Sequence, residues 1–174
     1  MDVVLLSADG EPIGRAPRAE VHSTDTPLHL AFSCHVLDPK GRVLMTRRAL
    51  TKRTWPGVWT NSFCGHPQPG EPIEEALARH GRAELGLEVA APRVELPEFR
   101  YRAKDPSGVV ENEVCPVYTA LADALPEPNP DEVMDMQWVE PARVAAAVRA
   151  APWAFSPWLV LQVEALELYR SEAV

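Results

Sequence analysis

Cys64 and His66 stand two residues apart in the stretch WPGVWTNSFCGHP, residues 55–67. A thiol held beside an imidazole is a candidate reactive centre, because its neighbours set how readily sulfur gains or loses a proton. The structural alternative is a buried, inert cysteine. Pro56, Gly57, Gly65 and Pro67 predict a loop with a set path rather than a regular element. Farther along, Glu111-Asn112-Glu113 opens a strand-like run. Period-two geometry sends both acids to one face, where they repel unless a metal or a shared proton intervenes. Together with His22, His29 and His66 they make a mixed nitrogen and oxygen ligand set, suited to Mn²⁺, Mg²⁺ or Zn²⁺. Arg47, Arg48, Lys52 and Arg53 fall within seven positions. Such a cluster is either a solvated face or a receiver for a small phosphorylated ligand.

Several elements must position these groups. His29–Leu37 and Arg42–Arg47 read as strands joined by Asp38-Pro39-Lys40-Gly41, a hairpin signature. Pro72–Leu85 reads as a helix with an early proline and early acids, stopped by Gly86. Further strands are expected over Glu98–Ala103, Glu111–Ala120 and Val133–Val139, and helices over Pro141–Ala150 and Pro157–Tyr169. Mixed strands flanked by a few helices predict an α/β or α+β sandwich. The first helix carries a misfit. At about 100° per residue, Ile73, Ala76, Leu77 and His80 form one stripe, and Glu84 returns to it. A carboxylate there is costly to bury and stands at the negative end of the helix dipole. Both penalties vanish if Glu84 meets a cation; otherwise it bends out to solvent.

A length of 174 residues, 46% apolar and 24% charged, is that of one globular domain, expected over residues 1–174. The net charge of −8 argues against a nucleic-acid partner. Three cysteines cannot all pair, and their spacing fits neither a disulfide framework nor a zinc ribbon, which predicts a reducing compartment. The N-terminus does not read as a signal peptide, and Ala150–Val163 is too short and Pro-interrupted to span a bilayer. The expectation is a cytoplasmic chain with no membrane partner, and a monomer, since no apolar helix stripe demands a partner.

The strings WTNSFCGHP, YRAKDPSGVVENEVCPV and WAFSPW resemble the type I isopentenyl-diphosphate isomerases, and the likeness runs from His22 to Trp158. The chain also resembles a degraded Nudix box. Gly65, Glu71, Arg79, Glu84, Gly86 and Leu87 keep its register, while His80 and Ala83 replace two of its acids. This implies a Nudix-like mixed β-sheet sandwich flanked by helices. It disfavours the alternative of a Nudix-type diphosphate hydrolase, which needs those acids to hold its metals.

The resemblance implies interconversion of isopentenyl and dimethylallyl diphosphate through a tertiary carbocation. Cys64 and Glu113 match the acid–base pair, Tyr101 a residue bonded near that acid, and Trp158 the aromatic facing the cation. His22, His29, His66, Glu111 and Glu113 match a site for Mn²⁺, Mg²⁺ or Zn²⁺. Glu84 matches the residue that helps place a second Mg²⁺, arriving with the substrate diphosphate. Arg18, Arg48 and Lys52 match basic positions that grip that diphosphate. His80 stands where a bacterial relative has arginine, which leaves Arg79 or the offset Arg82 as substitutes. A silent prenyl-diphosphate-binding or metal-binding protein would need neither Cys64 nor Glu113. A cysteine hydrolase would need a third group to orient its pair.

Overall fold

The computed structural model describes residues 1–122 and 124–170. Residue 123 and residues 171–174 of the expected 1–174 unit lie outside that description. The chain opens with the hairpin β1 (Asp2–Leu6) and β2 (Pro12–Pro17), then one helical turn, α1 (Arg18–Val21). β3 (His29–Leu30), β4 (Phe32–Leu37) and β5 (Val43–Arg48) follow, then the short strands β6 (Trp59–Thr60) and β7 (Phe63–Gly65). α2 (Ile73–Leu85) leads into β8 (Val89–Leu96), β9 (Arg100–Lys104), β10 (Val110–Val114), β11 (Val117–Ala122) and β12 (Val133–Val139). α3 (Pro141–Ala150) and α4 (Pro157–Ala165) come last, with 3-10 turns at Pro152–Ala154 and Glu167–Tyr169.

Two mixed sheets result. One runs β2-β1-β3-β10-β9; the other runs β12-β5-β4-β11-β8, with β6 on β5 and β7 on β4. This is the helix-flanked α/β sandwich of mixed sheets expected above. The chain passes between the sheets at two adjacent points, Ala31 and Cys115-Pro116. Ala31 N–H donates to Val114 O at 2.9 Å and Ser33 N–H to Pro116 O at 3.1 Å, which ties the two crossings together. The expected strand Glu111–Ala120 is therefore two strands in different sheets, because Pro116 has no N–H to continue a ladder. The expected strand His29–Leu37 divides in the same way. The expected last helix stops at Ala165 and gives way to a 3-10 turn.

The loop expected over residues 55–67 holds as far as Val58, is interrupted by β6 and β7, and resumes at His66. The β4–β5 hairpin pairs at Leu37 and Val43 and then opens, and β6 and β7 fill the gap between its arms. Aromatic and β-branched residues after Gly57 can pair there, so Cys64 lies on a strand, opposite Ser33.

The larger sheet is buried on both faces. Phe32, Cys34 and Val36 of β4 pack with Ala76, Leu77 and Leu85 of α2. Val43, Met45 and Val117 pack from the other face with Val144, Ala145 and Val148 of α3 and Leu159 and Val163 of α4. Two covered faces explain why these strands read as apolar runs rather than as alternation. Among the described residues, no helix is long and apolar enough to cross a membrane.

Candidate active site

A cleft of about 560 Å³ draws its walls from both sheets. On the first, β10 turns Glu111 and Glu113 to one face, as its period requires. Glu113 sits in register with His29 of β3 on one side and Tyr101 of β9 on the other. Tyr101 O–H donates to Glu113 Oε2 at 2.9 Å. Glu113 Oε1 lies 3.1 Å from His66 Nε2 and 3.4 Å from His29 Nε2. One ligand atom each from His22, His29, His66 and Glu113 falls within 4.8 Å of the others. Glu111 stands beside this group: its Oε2 is 2.9 Å from His22 Nε2, and Thr54 Oγ1 donates to its Oε1 at 2.8 Å.

The four residues fit a metal ion. His29 Nδ1–H donates to Pro27 O at 3.0 Å, so in the neutral ring it is Nε2, facing the cluster, that carries the lone pair. That is the arrangement of a metal-bound imidazole. His66 Nδ1 and His22 Nε2 are buried without a hydrogen-bond partner, the latter because its approach to Glu111 lacks hydrogen-bond geometry. Burial would push Glu113 up, but the imidazoles of His29 and His66 outweigh it and hold the carboxyl well below the usual carboxylate range. Burial keeps His66 below the ordinary imidazole value despite Glu113. For Tyr101, burial and then the Glu113 charge raise the phenol well above its ordinary value, so it stays a donor.

On the second sheet, Cys64 of β7 faces the cleft beside Trp158 of α4. Burial pushes the Cys64 thiol up to about 12, against the opposing hydrogen bonds of Ser33 and Asn61. A thiol that keeps its proton at neutral pH is suited to acid chemistry and poorly suited to a hydrolase nucleophile. No hydrogen bond joins Cys64 to His66 among the described residues. His66 turns instead to Glu113 and His29.

Of the basic cluster, Arg48, Lys52 and Arg53 line the same cleft, joined there by Arg18, while Arg47 stays outside it, its Nε donating to Gly57 O at 2.8 Å. Arg48 is aimed by its own loop, its Nη2 donating to Thr54 O at 2.8 Å. Lys52 Nζ pairs with Glu132. Glu84 also lines the cleft, and its Oε1 is 2.8 Å from His80 Nδ1. Glu84 thus does not bend out to solvent, and the partner at hand is an imidazole. Arg79 is held by Glu71 at 2.7 Å and Arg82 by Glu88 at 2.9 Å, and neither lines the cleft. Sequence reasoning missed Asn61, Ser33 and Thr54, which hold Cys64 and Glu111 in place. Ser33 and His35 carried a signal: two polar residues on one face of an otherwise apolar strand.

A model of the NUDIX domain matches residues 27–159. A crystal structure from Deinococcus radiodurans superposes with a TM-score of 0.74 at 23% identity, covering 96% of this chain and 99% of that one. The fold is that of a Nudix-domain protein. An isopentenyl-diphosphate Delta-isomerase of Agromyces mediolanus is 63% identical over 171 residues, 98% of this chain and 83% of the relative. One from Escherichia coli is 55% identical over 160 residues, 92% of this chain and 88% of the relative. The chain belongs to the isopentenyl-diphosphate Delta-isomerase family.

Proposed function

We propose that this protein interconverts isopentenyl and dimethylallyl diphosphate, with Cys64 and Glu113 as its acid–base pair. The observation that carries the reading is that a protonated thiol, a Tyr101-bonded carboxylate and an indole share one cleft. One of the pair adds a proton to the terminal alkene carbon, and the other removes one from the carbon on the opposite flank of the cation. The Trp158 ring faces the positive charge that develops between them. Tyr101 holds Glu113 Oε2 and can pass a proton at that atom. Arg18, Arg48 and Lys52 receive the diphosphate, Lys52 exchanging Glu132 for it. An ion of Mn²⁺, Mg²⁺ or Zn²⁺ at His22, His29, His66 and Glu113, with Glu111 alongside, would tune Glu113; a Mg²⁺ carried by the diphosphate would meet Glu84. Three free cysteines suit a reducing cytoplasm.

Proton NMR of isopentenyl diphosphate with protein and Mg²⁺ in D₂O tests this. Dimethylallyl signals carrying deuterium at the exchanged carbons are expected, and they should vanish in Cys64→Ala and Glu113→Gln while metal content and melting temperature show both variants folded. Normal turnover by either variant overturns the pair. Release of phosphate without isomerisation returns the protein to the hydrolases.

A further inference from the structure

Asn61 fills the link between β6 and β7 and is fully buried. Its amide sits only one way round. Nδ2 donates to the Phe63 carbonyl at 2.8 Å and the Cys34 carbonyl at 3.1 Å, which commits both of its hydrogens. Oδ1 accepts from Trp158 Nε1–H, a group that only donates, at 2.9 Å, and from Thr60 Oγ1 at 2.9 Å. The Cys64 sulfur lies 3.4 Å from that same oxygen and 3.3 Å from Nδ2. Trp158 and Thr60 already fill the two lone pairs of Oδ1, which leaves Ser33 Oγ, 3.2 Å from the sulfur, as the acceptor for the thiol proton. One side chain therefore touches a thiol carried by a strand and an indole carried by a helix 97 residues away.

The sulfur has a second anchor. Ser33 Oγ lies 3.2 Å from Cys64 Sγ and accepts from Gln162 Nε2 at 2.9 Å. Gln162 Oε1 accepts from His35 Nε2 at 2.9 Å, and His35 Nδ1 is 2.8 Å from Tyr169 Oη. All four side chains are buried, so the chain of bonds has no water to compete with it.

We propose that Asn61 is a positioning residue for the reaction, its fixed amide setting Cys64 and Trp158 in one frame, with Ser33 as the second anchor of the sulfur. The inference rests on the reading of Cys64 and Trp158 given above. Neither Asn61 nor Ser33 lines the cleft, so both act through those two residues. An unanchored cysteine samples several rotamers. Here two partners select one, and the indole is held at a constant distance from it.

The test uses the metal-loaded full chain and the variants Asn61→Ala, Ser33→Ala and Cys64→Ala. Misplacement of a reacting group by about 1 Å costs on the order of 10²-fold in rate, so Asn61→Ala is expected to lose that much in kcat with KM within about threefold. The infrared S–H stretch of Cys64, identified as the band lost in Cys64→Ala, is expected at a hydrogen-bonded position in the unsubstituted protein. It should shift toward the free position in Ser33→Ala, with a several-fold fall in kcat. A wild-type band already at the free position overturns the proposal, and so does an unshifted band in Ser33→Ala. Should Asn61→Ala fail to fold, those two bands decide. An inactive Cys64→Ala beside a fully active Asn61→Ala removes the positioning role alone. An active Cys64→Ala removes the acid–base reading itself.

Discussion

Trp158 is held from two directions, its N–H by Asn61 and its ring by the Arg48 guanidinium, 5.4 Å from the ring centroid. The ring therefore already faces positive charge in the free protein. If that face stabilises a carbocation, Trp158→Phe keeps a weaker aromatic face while Trp158→Leu keeps none. Steady-state kinetics should show Leu costing on the order of tenfold more turnover than Phe. Equal losses would mark Trp158 as packing only. Glu84 is the other residue whose meaning depends on its partner. His80 holds it at 2.8 Å where the Nudix pattern has a further acid. Glu84→Gln should raise the Mg²⁺ concentration needed for half-maximal turnover several-fold, read from a Mg²⁺ titration of rate. A change confined to melting temperature would assign Glu84 to helix stability. The residue types at both positions were legible in the sequence. That Arg48 and His80 are their neighbours was not, because those approaches depend on how β5 and α2 are laid against the rest.

At the scale of elements, α2 and β7 meet where Gly65 faces the His80 ring. A Cβ on Gly65 would lie 2.5 Å from His80 Cδ2, closer than any real contact. The ring also packs edge-on against Phe32, so it has little room to retreat. Gly65→Ala should destabilise by roughly 1–3 kcal/mol in urea unfolding, the usual cost of overpacking. It should also raise the Mg²⁺ requirement by displacing His80 from Glu84; an unchanged unfolding midpoint would refute the clash. The helix itself was readable, since its proline, early acids and stopping glycine are local signals. Strands β1, β2 and β8 were not. β2 and β8 are exposed edge strands interrupted by proline, at Pro12, Pro17 and Pro92, and neither strand shows clean alternation. The site was legible where a period carries it, as in Glu111 and Glu113. Ser33 escaped notice because its partners Cys64 and Gln162 are 31 and 129 residues away.

Over the whole molecule, His35 ties β4 to α4 and to the C-terminal turn through Gln162 and Tyr169. Burial lowers its pKa from 6.5 to about 4, against the opposing hydrogen bond of Gln162. Between those values the unfolded chain binds a proton that the folded chain refuses. Stability is therefore full above pH 6.5 and is lost as pH falls toward 4, by about 3 kcal/mol for this group. Urea midpoints at pH 7.5 and 5 should fall less in His35→Gln than in the unsubstituted protein. Equal falls would show that His35 is not the group responsible.

The sequence by itself determined the ligand types, the same-face acids of β10, the α2 helix with its misplaced carboxylate, and the motifs of the family. Each of these is local, set by spacing along one element or by a contiguous string. Only the tertiary structure decided that Glu111 stands beside the four converging ligands, that Cys64 lies on a strand and keeps its proton, and that Asn61 binds it to Trp158. Those outcomes depend on burial and on partners brought in from other elements, and both arise only when the two sheets cross at Ala31 and Pro116.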